Sequence, residues 1–155
     1  MRLRILAVGQ RMPAWVASGV ETFTRRMPPQ LPVELAEVPA SRARRSGDSA
    51  RAREEEGKRL LAAARGARLV ALDEGGRGVT TAQLAARLDD WLMSGDDIAF
   101  LVGGADGLAR GCRQRAEWVW SLSPLTFPHM LVRVILAEQL YRAWTVLRNH
   151  PYHRD

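Results

Sequence analysis

Apolar and polar positions change period several times along the chain, and each change marks an element. Leu3-Arg4-Ile5-Leu6-Ala7-Val8 alternates and then runs apolar into Gly9, which predicts a first strand. Pro13 and Ala14 open a helix predicted to reach Arg26, where Met27-Pro28-Pro29 ends it. Pro32 to Val38 alternates apolar with acidic residues and predicts a second strand. The stretch Pro39 to Arg53 is rich in Ser, Arg and Gly, and carries Arg42, Arg44, Arg45, Arg51 and Arg53. Its first half reads as a mobile basic loop, with Asp48 capping a helix that continues to about Ala64. Arg68 to Leu72 predicts a buried strand, stopped by Asp73 and the Gly75-Gly76-Arg77-Gly78 turn. Thr80 or Thr81 caps a helix in which Leu84, Leu88, Trp91 and Leu92 recur at helical spacing. Asp97 to Val102 predicts a near-continuous apolar strand meeting Gly103-Gly104, with a helix from Leu108. Glu117 to Leu122 predicts a short final strand, and Met130 to Leu147 a long helix.

Strand and helix alternate, and the later strands are apolar on both faces. That pattern calls for an α/β fold: a mostly parallel sheet with helices on both faces. No internal repeat or interior linker divides the chain, so residues 1–155 are read as one domain. In open α/β sheets ligands gather at the carboxyl ends of the strands, here Leu72-Asp73 and Val102-Gly103.

Composition narrows the class. An apolar content of 46% with 26% charge excludes a disordered chain. No run approaches the ~18 apolar residues of a membrane span. The first residues pass directly into a strand without a signal peptide's apolar region, and Cys112 is the single cysteine. A reducing, cytoplasmic compartment is the expectation. The formal charge is +6, and Lys58 is the only lysine among 23 basic residues. Arginine's planar fork suits RNA phosphates and bases. A genome whose base composition favours Arg codons would produce the same excess, so charge alone decides little.

Three segments carry candidate chemistry. Gly103-Gly104-Ala105-Asp106-Gly107 follows a strand and lets backbone amides approach a ligand, or is a plain tight turn. It contains neither the dinucleotide fingerprint G-x-G-x-x-G nor the phosphate-binding G-x-x-x-x-G-K-[ST]. Ser123-Pro124-Leu125-Thr126-Phe127-Pro128-His129 is stiffened by two prolines and suits the wall of an adenine pocket. The helix behind it carries a wide apolar stripe of Val132, Ile135, Leu136, Leu140, Ala143, Trp144 and Leu147, for its own core or for a partner chain. The tail Arg148-Asn149-His150-Pro151-Tyr152-His153-Arg154-Asp155 is rich in groups that stack on bases or steady an oxyanion. His150 and His153 lack a third ligand, so no metal is expected.

Taken together, several blocks resemble the ribosomal large subunit methyltransferase H group of the SPOUT superfamily over essentially the whole chain. They are Leu101-Val102-Gly103-Gly104-x-x-Gly107, Ser121-Leu122-Ser123-x-Leu125-Thr126-x-Pro128-His129, Leu131-Val132-Arg133-Val134, Glu138-Gln139-Leu140-Tyr141-Arg142-Ala143-Trp144 and Asn149-His150-Pro151-Tyr152-His153-Arg154. Ala105-Asp106 stands where that family has Pro-Glu, which keeps the acid and loses the proline's stiffness. The resemblance implies a C-terminal trefoil knot and a homodimer packed partly through the last helix. It implies S-adenosylmethionine held by Leu72, Gly103, Leu122, Ser123, Pro124, Leu125, Thr126 and Phe127. The implied reaction is methylation of N3 of a pseudouridine in 23S rRNA, within the assembled 70S ribosome.

Losing the imide proton spreads charge onto the flanking carbonyls. Arg142, His153 and Arg154 are therefore placed near the base, where a guanidinium favours that charge and a neutral imidazole can accept the proton, with Tyr152 as a stacking wall; the sequence leaves the proton acceptor open. His129 is read as ordering the cofactor loop. Two rival readings are a non-catalytic ribosome- or RNA-binding factor that retains the fold, and an unrelated flavodoxin-like nucleotide-binding enzyme. Retention of loop and tail opposes the first, and the missing phosphate fingerprints oppose the second.

Overall fold

In the computed structural model, which describes residues 1–154, five strands form one sheet in the order β2-β1-β4-β3-β5, every neighbouring pair parallel. The strands are β1 (Leu3–Val8), β2 (Val33–Val38), β3 (Arg68–Arg77), β4 (Ile98–Val102) and β5 (Trp118–Trp120). The helices are α1 (Ala14–Thr24), α2 (Ser49–Ala63), α3 (Thr81–Ser94), α4 (Arg110–Arg115) and α5 (His129–Leu147), with a short 3-10 helix over Arg42–Ser46. The inner strands are apolar on both faces because both faces are covered. Leu3, Ile5, Ala7, Val70, Leu72, Ile98, Phe100 and Val102 belong to the larger core, which α1, α3 and α5 complete. Leu6, Val8, Ala71, Ala99 and Leu101 alternate with them and pack beneath α2 and α4. The order places β4 between β1 and β3, unlike the flavodoxin order 2-1-3-4-5, and so removes that rival.

Local chemistry sets the helix boundaries. Thr80 caps α3 in a reciprocal box with Gln83, and Gly95 ends it at φ +76°. Asp48 caps α2 by accepting from the Arg51 amide. α2 and α4 cross so closely that a Cβ on Gly57 would stand 2.6 Å from the Ala109 methyl.

Three expectations need correction. The helix expected from Leu108 begins at Arg110, because Ala109 is extended at ψ 148°. β3 does not stop at Asp73: Leu72 and Arg77 both register with Trp120, so the intervening residues bulge outward and the strand resumes. Gly76 makes the return possible, since a Cβ there would lie 2.4 Å from the Val119 carbonyl oxygen. The stretch read as a mobile loop is the 3-10 helix, held through Arg44 and Ser41 as described below.

The long helix α5 is tied to the strand ends by Arg133, which is completely buried. Its guanidinium donates to Glu37 at 2.7 Å, to the Val8 carbonyl at 3.0 Å and to the Gly9 carbonyl at 2.9 Å. Buried cations are rare unless satisfied in this way. That is the physical reason an arginine interrupts the apolar block Leu131 to Val134.

Candidate functional site

A cleft of about 570 Å³ opens at the carboxyl ends of β3, β4 and β5, where the sequence pattern points. Leu72, Gly103, Leu122, Ser123, Leu125, Thr126 and Phe127 line it, while Pro124 does not. The volume lies in the range of small-molecule sites. Its walls are of two kinds. The apolar wall consists of Leu72, Val102, Leu122, Leu125, Phe127 and Val132. Leu125 is 69% exposed, an apolar side chain held out over the cleft with nothing of its own chain to cover it.

The second wall is acidic, and sequence reasoning missed it: Asp73, Glu74 and Asp106. Arg113 donates to Asp73 at 3.3 Å, and Arg44 donates to Asp106 at 2.5 Å. Glu74 meets only the Thr126 hydroxyl, at 2.8 Å, and no cation among the described residues. A ligand with a positive centre and a flat apolar ring matches this pair of walls.

Both cleft loops take shapes whose reasons are visible in the chain. In the glycine turn, a Cβ on Gly103 would fall 2.5 Å from the Gly107 carbonyl carbon, so only glycine lets the two backbone segments touch. Gly107 adopts φ +82°. In the proline-bounded loop, the Ser121 hydroxyl donates to the Ser123 carbonyl at 2.9 Å. The Ser123 hydroxyl in turn accepts from the Leu125 amide at 2.9 Å. His129, first residue of α5, faces the same cleft. Burial holds its imidazole below the ordinary histidine range, and the guanidinium charges of Arg133 and Arg44 push the same way. It is the neutral imidazole of the cleft, a role its place in a motif did not reveal.

The tail residues assemble elsewhere. Glu138 is their hub: it accepts from Arg142 Nε at 2.8 Å and from the Tyr152 hydroxyl at 3.0 Å. Arg142 also lies over the Tyr152 ring, 4.7 Å from its centroid, and approaches His153 Nδ1 at 3.3 Å. Tyr152 packs edge-on to Tyr141 at 4.8 Å. The carboxylate of Glu138 raises the Arg142 pKa, and burial followed by the bond to Glu138 raises that of the Tyr152 phenol. Arg154 is exposed. The i,i+4 spacing of Glu138 and Arg142 was the one sequence signal for this hub. None of the described tail residues lines the cleft. Val132 at the cleft and Arg142 in the cluster stand ten positions apart on one helix, roughly 15 Å at 1.5 Å per residue.

Comparison with known proteins covers the same ground. The family described as "Predicted SPOUT methyltransferase" matches residues 1–153. The chain is 55% identical to the ribosomal RNA large subunit methyltransferase H of Thioalkalivibrio sulfidiphilus and 50% identical to that of Hydrogenovibrio crunogenus, over the whole of each chain. The protein of that name from Alkalilimnicola ehrlichii is 53% identical over 99% of both chains. The match runs through cleft, helix and tail alike, and the chain belongs to the family of SPOUT methyltransferases.

Proposed function

We propose that this protein methylates N3 of a pseudouridine in 23S rRNA within the assembled 70S ribosome, as a cytoplasmic homodimer using S-adenosylmethionine. The observation that carries the reading is the cleft, whose uncompensated Glu74 and exposed Leu125 fit a sulfonium and an adenine. Leu72, Gly103, Leu122, Ser123, Leu125, Thr126 and Phe127 would hold the cofactor, with Pro124 stiffening their loop from behind. When bound, S-adenosylmethionine supplies an electrophilic methyl group on a positive sulfur. The reading includes the trefoil knot, with α5 threaded through a loop of its own chain.

The chain's own residues have two tasks. They orient the base for in-line attack, which supplies much of the acceleration. They also remove the imide proton, because neutral N3 has no available lone pair. Tyr152 offers a stacking face, and Arg142 and Arg154 favour the negative charge that develops on the flanking carbonyls. His153, beside Arg142, takes the proton. Because cleft and tail cluster lie apart on α5, the tail of one subunit completes the cleft of the other. The relatives' names support the rRNA substrate, and a non-catalytic ribosome-binding factor is the second reading.

The test offers labelled methyl donor to 70S ribosomes, large subunits and free 23S rRNA, all lacking the modification, and maps the product. Label at a pseudouridine in 70S particles alone is the expected result. Donor binding without label on any substrate favours the non-catalytic factor.

A further inference from the structure

Arg44 lies outside every motif quoted above for the family, yet it pairs with two carboxylates at the edge of the cleft. Its Nη2 donates to Glu56 at 3.0 Å, and its Nε to Asp106 at 2.5 Å. Glu56 is only 2% exposed, and its other oxygen accepts from the Ser41 amide at 2.9 Å. Asp106 lies in the glycine turn and lines the cleft. The guanidinium therefore bridges a carboxylate fixed inside the fold and one that belongs to the ligand wall. Arg44 Nη2 also sits 3.7 Å from the point where a Cβ of Gly104 would stand, so it packs on the turn's backbone as well as on its acid.

The remaining groups around this point sharpen its role. His129 contributes an uncharged ring beside it, and Arg133 is occupied by Glu37 and the ends of β1. Gly103, Gly104 and Gly107 leave the turn free to move, and Ala105 supplies no ring to stiffen it. Rigidity must then come from a contact, and the one side-chain contact to Asp106 among the described residues is Arg44.

We propose that Arg44 is a positioning residue: acting through Asp106, it holds the glycine turn in the conformation that binds the methyl donor. This rests on the cleft being the donor site. The segment Arg42–Ser46 is then a strap whose inner arginine sets donor affinity, while the exposed Arg42 and Arg45 stay free for another partner.

The experiment measures S-adenosylmethionine affinity by calorimetry on the full-length protein, alongside methyl transfer as a function of donor concentration. Removing Arg44 alone strands the buried Glu56 charge and threatens the fold. The main variant is therefore Arg44→Ala combined with Glu56→Gln, and Glu56→Gln alone is the control. The double variant is expected to bind the donor about tenfold more weakly. Its donor KM should rise by a similar factor, and its kcat should stay within about threefold of the control at saturating donor. Arg44→Lys, which reaches one carboxylate at a time, should fall between. Adding Asp106→Ala to the double variant should weaken binding little further, because both changes cut one linkage. Equal donor affinity in the double variant and its control would overturn the proposal, as would losses at Arg44 and Asp106 that multiply. If the unaltered protein binds no donor, the reading of the cleft itself fails.

Discussion

The cleft and the tail cluster are both candidate halves of one site, but they are built by opposite means. The cleft draws its walls from β3, β4, β5 and the start of α5, segments far apart in the chain, and depends on backbone closeness at Gly103 and Gly76. The tail cluster is local, with Glu138, Arg142, Tyr152 and His153 within one helix end and its extension. One is a shaped concavity with an acidic side; the other is a stack of rings and a guanidinium around a single carboxylate. The difference teaches that neither is sufficient. No arginine or lysine lines the cleft among the described residues to meet a developing oxyanion, and the described residues of the cluster lie outside the cleft. On the function proposed above, a second copy of the chain supplies what each lacks.

The strongest way to break this comparison is subunit mixing. Gly103→Ala, which drives a methyl into the Gly107 backbone, should remove donor binding. Arg154→Ala should leave donor binding intact and cut turnover on the order of 100-fold, about 2.7 kcal/mol of transition-state stabilisation. A refolded equal mixture should regain about a quarter of wild-type activity, since half the dimers carry one intact composite site. No recovery would place tail and cleft in the same subunit. Glu138→Gln should separate the halves further, with turnover falling roughly tenfold as Arg142 and Tyr152 lose their anchor. Calorimetry should find donor affinity unchanged, and a weakened affinity would tie the cluster to the cleft.

Tyr152→Phe keeps the ring and loses one hydrogen bond, so single-turnover rates should drop only about fivefold. The smallest effect belongs to His129. Its pKa is depressed on folding, so above its ordinary value near 6.5 both states are neutral and it adds no pH dependence. As pH falls through that value, the unfolded chain takes up a proton that the folded site resists, and stability is lost. His129→Gln should therefore lose less thermal stability than wild type between pH 7.5 and pH 5.5. Identical losses in the two proteins would mean that the cleft does not exclude charge at that ring.

Much of this arrangement was legible in the chain. Leu3 to Val8 and Asp97 to Val102 read as strands because a short apolar run ending at glycine suits a strand covered on both faces. The glycine turn and the proline-bounded loop were visible as exceptions to ordinary linker composition. What escaped had partners distant in sequence. Asp73 to Gly76 reads as a turn, and only Trp120 across the sheet brings Arg77 back into β3. Ser41 to Ser46 has the composition of a mobile loop; its order comes from Glu55 and Glu56 in α2 and from Asp106, 62 residues beyond Arg44. The acidic wall was hidden in the same way, because Asp73 and Glu74 share a cleft with Asp106, more than thirty residues on, only after folding.

The strand order also sets a clock. β1 is made first, yet β4, which pairs along its inner edge, begins 95 residues later at Ile98. At about 5–20 residues per second of synthesis, that edge waits on the order of 5–19 s with only β2 beside it. An apolar strand with an open edge is a template for pairing with other chains. The nascent protein therefore depends on whatever shields that edge until the second half of the chain arrives.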